Sequence, residues 1–359
     1  MSGPTPTLFD SYIISWVQQD VKRPIGTNGP FAQKALLLHN PKHHHQLRRN
    51  RHPSGYGILS LHHLGRCVFD DNINLEQTTI AVGGLGLMGG SLAKACQNRG
   101  LVDRVIGIAR REETANRAEI EGIVDWGTTD LDAGIAEADI IVLATPVRTI
   151  LTQLDYLSTT IQHHCLVLDM GSTKLDIVQA MNTLPANAEA LGTHPMCGKE
   201  TRGLEVADAD LYIGAPWALV PLQRTSPTSL RLVEQLVIGV GAFPLVIDAN
   251  RHDRLVAAIS HLPYALAVTL MLTASDIADD DPLMWQLAAG GFRDTSRVAA
   301  CDVNMMLDIL LTNEAAVRRL MEQAADNLHQ LASYLANGDV ASLRAKLEAA
   351  QSLRTGPGK

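Results

Sequence analysis

Cysteine is sparse and unpatterned in this chain. The five residues, Cys67, Cys96, Cys165, Cys197 and Cys301, are scattered and show no C-x-x-C spacing. That argues against a disulfide framework and a structural zinc site, and for reduced thiols in the cytoplasm. Aromatics are also few, at 4%. No apolar run reads as long enough to cross a bilayer, and no charged start followed by an apolar stretch marks a secretory signal. A formal net charge of -8 argues against nucleic acid as the main partner. These absences leave a chain of 359 residues with room for two or three domains and a sizeable core.

Acidic residues are missing altogether from Val21 to Phe69, where "KHHHQLRRNRHPSGYG" gathers bases and histidines. Residues 1–74 are expected to be a disordered extension or the product of a misassigned start. A metal-binding histidine tract or an organelle transit segment are the sharper alternatives. No metal site is expected elsewhere.

From Thr78 the pattern changes. "TTIAVGGLGLMGGSLAKACQNRG" is a β-rich run, a glycine cluster and a helical pattern. Gly84, Gly86 and Gly89 spell G-x-G-x-x-G, with Leu85, Leu87 and Met88 between them. The first glycine permits the tight turn, the second lets a pyrophosphate approach the backbone, and the third lets helix and strand pack closely. The helix start then offers N–H groups to phosphates. A second strand, "DRVIGIA", ends at Ala109, followed by Arg110 and Arg111. NAD-binding folds commonly place a carboxylate there for the ribose 2′-OH. A small neutral residue and two arginines instead admit a 2′-phosphate, so NADP is the expected cofactor, with NAD as the alternative.

Strands and helical patterns keep alternating to about residue 248. "ADIIVLATPV" ends at Thr145-Pro146, "CLVLDMGSTK" at Ser172 and Lys174, and "NAEALGTHP" leads into "GTHPMCGKE". "PWALVPL" and "AFPLVIDA" follow as strands. The expected class is α/β: a Rossmann-type doubly wound, mostly parallel sheet over residues 75–248. Ligands in such sheets bind beyond the carboxyl ends of the strands. Gly84, Thr145, Ser172 and His194 should gather there, with His194 on a rigid loop.

Residues 249–359 read as an all-helical domain. "RHDRLVAAISHLPYALAVTLMLTASDI" is a long apolar helix that Pro263 should kink. Asp281 and Pro282 should start a helix that Gly290-Gly291 stops. Val317, Leu320, Met321, Ala324, Leu328, Leu331 and Leu335 recur at helical spacing. Such stripes suit a core or a homodimer seam between C-terminal helices. Between the helices, "AAGGFRDTSRVAACD" is either a solvated loop or an anion clamp.

Five motifs in order, "GLGLMGGSLA", "DMGSTK", "GTHPMCGKETRG", "ISHLPY" and "GGFRDTSRVA", resemble the prephenate/arogenate dehydrogenase family of tyrosine biosynthesis. The resemblance runs from about Thr78 past Leu335. It implies oxidative decarboxylation of a ring bearing a hydroxyl and a carboxylate, with hydride passing to nicotinamide. It implies that His194 is the catalytic histidine that polarises the ring hydroxyl, and that Ser172 helps to orient both. It implies that Arg297 binds a substrate carboxylate, that His261 is the first His of the family's H-L-P-H, and that Glu200 is an acidic residue near the entrance.

Two positions depart from the family pattern. Cys197 stands where alanine is frequent, and Tyr264 stands where many prephenate-using members have the second His. A tyrosine carries no positive charge, and its hydroxyl accepts a hydrogen bond from an ammonium. That tilts the expected substrate from prephenate, whose side chain carries a ketone, towards arogenate, whose side chain carries an ammonium. A different NADP-dependent dehydrogenase and a non-catalytic NADP-sensing protein are the readings from other classes. The first usually employs a catalytic lysine on a helix, an arrangement this sequence does not show, and the second does not need His194, Ser172 and Arg297 together.

Overall fold

The computed structural model describes residues 74–198 and 201–356. Residues 1–73, Lys199 and Glu200 lie outside them, and so do the readings placed on the basic extension and on Glu200.

Strand β1 (Thr79–Gly83) is buried at four of its five residues, because helices cover both faces of the sheet. Helix α1 (Leu87–Arg99) follows and ends at Gly100, whose φ of 59° closes the last turn. Then come β2 (Arg104–Ile108), α2 (Glu112–Ile120), β3 (Trp126–Thr128), α3 (Leu131–Ile135), β4 (Ile140–Leu143) and α4 (Val147–Thr160). Next are β5 (Cys165–Asp169), α5 (Leu175–Met181), β6 (Ala188–Pro195), β7 (Pro216–Pro221), α6 (Pro227–Gly239) and β8 (Phe243–Val246). They form one sheet in the order β3-β2-β1-β4-β5-β6-β7-β8.

The first six strands are parallel, and β7 runs antiparallel to β6 with β8 alongside it. The doubly wound sheet is thus present, with its last two strands reversed. Among the described residues, only a short 3-10 turn at Leu204–Val206 lies between β6 and β7. Without a crossover helix the chain returns antiparallel. Strand alternation splits the core into two layers. Ile80, Val82, Ile140 and Val142 pack with Leu92 of α1 and Leu232 and Leu236 of α6. Ala81, Ile141 and Leu143 pack with Ile150 and Leu154 of α4 and Ile177 of α5 on the other face.

From Ala249 no strand follows among the described residues. Helix α7 (Ala249–Val256), a π turn (Ala257–His261) and α8 (Leu262–Asp280) run on continuously. Pro263 has no N–H for the carbonyl four residues back, and the helix absorbs the defect in the π turn just before it. This 32-residue segment has a window of mean hydropathy 1.9, of which only 22% is buried. The expectation that no run is long and apolar enough to cross a bilayer is therefore corrected, since by length and composition this one is.

Helix α9 (Leu283–Leu287) starts where expected, but its N-cap is Pro282, with Asp281 just before it accepting the Leu283 N–H at 3.0 Å. Gly290-Gly291 does not stop that helix; Gly290 opens α10 (Gly290–Ser296), which runs into a 3-10 turn at Arg297–Ala300. The arginine-bearing stretch expected as a loop is thus helical. Helices α11 (Val303–Thr312), α12 (Glu314–Ala336) and α13 (Val340–Thr355) complete the chain.

Candidate active site

The order of the sheet reverses between β1 and β4, which opens a crevice at the carboxyl ends of these strands. Gly84 lies at the end of β1, with φ 107° and its N–H on the Ile108 carbonyl at 2.8 Å. A Cβ on Gly89 would sit 2.1 Å from the Gly84 oxygen, so helix and strand touch only because Gly89 has none. Gly86 is the opposite case: a Cβ there would meet no described heavy atom within 4 Å. The open space over Gly86, at the start of α1, fits a dinucleotide pyrophosphate. Leu85 and Leu87 are buried, and the Met88 carbonyl accepts the Tyr212 hydroxyl at 2.5 Å. The side chains of Leu85 and Leu87 and the carbonyl of Met88 therefore brace the loop.

Ala109 is buried, with its N–H on the Thr128 carbonyl at 2.9 Å. Arg110 and Arg111 are exposed, and Arg111 occupies the N-cap of α2. Glu112 and Glu113 fill the first turn of that helix. Thr145, half-buried beyond β4, donates to Gln153 at 2.7 Å, and Pro146 is the N-cap of α4.

His194 is not on a loop. Gly192, Thr193, His194 and Pro195 are the last residues of β6, and they pair with Val220, Leu219, Ala218 and Trp217 of β7. The polar sequence misleads because the Thr193 side chain turns inward to the carbonyl of Asp169 and its N–H meets an Asp169 carboxylate oxygen at 2.9 Å. Asp169 forms a fully buried ion pair with Lys174. Burial pushes the Asp169 carboxyl up, against the pull of Lys174, and pushes Lys174 down, against Asp169. Breaking such a pair by removing one partner costs about 3–5 kcal/mol. The pair locks the turn that carries Ser172, which stands half-exposed between β5 and α5.

The helical half supplies residues that gave no signal in the sequence. His194 Nδ1 lies 2.9 Å from His252 Nε2, and His252 Nδ1 lies 2.7 Å from Asp253 Oδ1. Asp253 also accepts the backbone N–H groups of Lys174 and Leu175 at 2.7 and 2.9 Å. Asn313 donates to the Asp253 carbonyl at 2.8 Å and to His261 Nδ1 at 3.2 Å. Those contacts leave the His261 proton on Nε2. Thr173 and Thr312 share a hydrogen bond of 2.8 Å. "RHDR" opens the stretch read as one long apolar helix, which hid His252 and Asp253.

Burial pushes the His194 pKa well below its usual 6.5, and His252, Lys174 and His261 push the same way. His194 is therefore a neutral imidazole at neutral pH. Burial also pushes His261 down to about 4, despite the opposing pull of Asp253. Cys197 is pushed up to about 11 by burial, so it is a thiol and no nucleophile. Tyr264 is half-buried in the first turn of α8, and the turn carrying the exposed Arg297 packs against that helix. The structure thus gathers the glycine loop, Thr145, Ser172 and His194 at one sheet edge, with His261 reaching the His194 network from the helical half.

Residues 92–245 match the family described as prephenate dehydrogenase, nucleotide-binding domain. Residues 248–349 match prephenate dehydrogenase, dimerization domain. Prephenate dehydrogenase of Bacillus subtilis (strain 168) is 32% identical over 286 residues, covering 79% of this chain and 77% of its own. This chain belongs to the prephenate dehydrogenase family. The solved prephenate dehydrogenase of Aquifex aeolicus, in complex with hydroxyphenyl propionate and NAD+, is 28% identical with a TM-score of 0.71. That match covers 77% of this chain and 97% of that one. Synechocystis arogenate dehydrogenase is 30% identical with a TM-score of 0.67, covering 77% of this chain and 98% of that one. The protein is an oxidoreductase of this family, with a nucleotide-binding domain.

Proposed function

We propose that the protein oxidatively decarboxylates arogenate, and prephenate less well, with NADP as the preferred cofactor, yielding tyrosine or 4-hydroxyphenylpyruvate. The observation that carries the reading is a neutral His194, held by a strand at the edge that also bears the glycine loop. When bound, the dinucleotide supplies the hydride acceptor. His194 takes the proton of the ring hydroxyl as the C–H electron pair leaves and a C=O bond forms. The C–CO2 bond then breaks, its electron pair enters the ring, carbon dioxide departs, and the phenolate oxygen recovers the proton. A neutral imidazole suits both transfers: it has a bare nitrogen to take the proton, and burial, which disfavours the charged ring, drives the proton back to the phenolate oxygen.

Arg297 pairs with a substrate carboxylate in this reading. Ala109 leaves room for a 2′-phosphate, and Arg110 and Arg111 supply its charge. Tyr264, uncharged, admits an ammonium where a protonated histidine would repel it. Assaying the purified full-length chain with each substrate, and with NADP and NAD, is the test. The highest kcat/KM is expected for arogenate with NADP; a prephenate value well above it overturns the substrate reading, and a clear NAD preference overturns the cofactor reading.

The apolar faces of α8 and α11, with Leu266, Leu272, Ile277, Leu307 and Leu311 exposed, suit a homodimer seam. Light scattering should give twice the chain mass.

A further inference from the structure

The proposed reaction asks for more than a neutral His194. The imidazole has two nitrogens, and only the tautomer with a bare nitrogen facing the hydroxyl accepts its proton. Nothing about a lone histidine on a strand chooses between the two.

We propose that His252 is a positioning residue which, anchored by Asp253, holds His194 in the tautomer with its proton on Nδ1 and its lone pair on Nε2. This inference rests on the functional reading above. The two oxygens of Asp253 receive the N–H groups of Lys174 and Leu175 and the His252 Nδ1. An ionised carboxylate only accepts, so His252 Nδ1 carries a proton. A neutral His252 then has a bare Nε2. That atom lies 2.9 Å from His194 Nδ1, in an edge-on arrangement with ring centroids 5.1 Å apart. Only a proton on His194 Nδ1 makes this contact a hydrogen bond. His194 Nε2 is left free to accept.

The arrangement keeps its value through the reaction. When the hydroxyl proton arrives on Nε2, His194 becomes an imidazolium and still donates through Nδ1 to His252. The Asp253 carboxylate, one ring away, offsets the new charge. The proton then returns to the phenolate oxygen, and the chain of bonds is unchanged. Because Asp253 also holds the first N–H groups of α5, it fixes the Ser172 turn at the same time. The competing arrangement is a charged His252 with protons on both nitrogens. It would make His194 Nδ1 the acceptor, put the His194 proton on Nε2, and disable proton uptake.

The test combines a spectrum with two side-chain replacements. In the wild-type protein labelled with ¹⁵N-histidine, with the His194 signals assigned from their loss in His194→Asn, long-range ¹⁵N–¹H correlations read the tautomer directly. A proton on Nδ1 is expected near pH 7.5, and a proton on Nε2 overturns the proposal whether or not any variant folds. Among variants, His252→Gln places an amide oxygen near the old Nε2 and can still accept from His194. His252→Asn keeps a donor for Asp253 but falls short of His194. Asn should cut kcat at least about 10-fold at unchanged cofactor KM, and Gln should recover most of that loss. A purely structural role predicts the reverse order, because Asn keeps the buried carboxylate partnered; that order also overturns the proposal. Wild-type protein that oxidises neither substrate would defeat the functional reading instead, and the spectrum still decides the tautomer.

Discussion

Two glycines three residues apart should fail in different ways when replaced by alanine. Gly86 is in extended backbone with φ −92°, which alanine adopts without strain, and its new methyl group would meet no described atom within 4 Å. Gly86→Ala should therefore leave the fold intact. The loss of unfolded-state freedom, worth about 0.4–1 kcal/mol, is offset by alanine's poorer capping. The methyl group would instead occupy the space given to the pyrophosphate. Losing one charge-assisted hydrogen bond, about 1.5–3 kcal/mol, weakens NADP binding roughly 10- to 100-fold. Gly89→Ala meets the Gly84 oxygen at 2.1 Å, which no rotamer relieves. It should cost about 1–3 kcal/mol or more in stability. Thermal melts and NADP titrations on both proteins separate the effects. Wild-type affinity in Gly86→Ala would show that the pyrophosphate lies elsewhere, and a wild-type melt for Gly89→Ala would refute the close packing.

Three further outcomes are expected. His194→Asn should keep NADP affinity near normal and lower turnover by about 10²- to 10⁴-fold, read in steady-state assays; unchanged turnover would remove His194 from the chemistry. Arg297→Lys should mainly raise KM for the substrate, because lysine cannot make a two-point contact with a carboxylate. His261 binds its proton near 6.5 when unfolded but only near 4 in the fold, so stability is full above pH 6.5 and falls as pH drops towards 4. Between pH 7.5 and 5 this one ring removes about 2 kcal/mol, and urea midpoints for His261→Gln should show a correspondingly smaller loss.

Much of the fold was legible because its signals are local. The glycine spacing, the strand ends at Thr145 and Ser172, and the helix start after Asp281-Pro282 each depend on neighbours within a few residues. The misreadings share a cause. Polar residues at a strand end look like loop when their partners are distant in sequence. Thr193 is satisfied by Asp169, 24 positions away, and His194 by His252, 58 positions away. Likewise Gly290-Gly291 resembles a helix stop, but α9 had already ended and the pair begins the next helix. Asn313, which ties His261 to the backbone of Asp253, sits between α11 and α12 with nothing beside it to suggest a site.

The placement of His194 on β6 rather than on a loop changes how its precision arises. A loop would hold the imidazole by its own stiffness. Here three separate supports meet at one strand end. The ladder to β7 fixes the backbone at His194, opposite Ala218. The buried Asp169–Lys174 pair fixes the adjoining Thr193 N–H and, through the Gly171 N–H at 2.7 Å, the start of the Ser172 turn. Asp253 fixes the other end of that turn and, through His252, the imidazole ring itself. Two buried carboxylates, one from each half of the protein, therefore converge on the same few residues. Each accepts three or more donors, which offsets the desolvation that would otherwise make a buried carboxylate costly. The strand end is held from both halves: Asp169 draws its donors from the sheet half alone, whereas Asp253, in the helical half, is satisfied only when the N–H groups of Lys174 and Leu175 reach it.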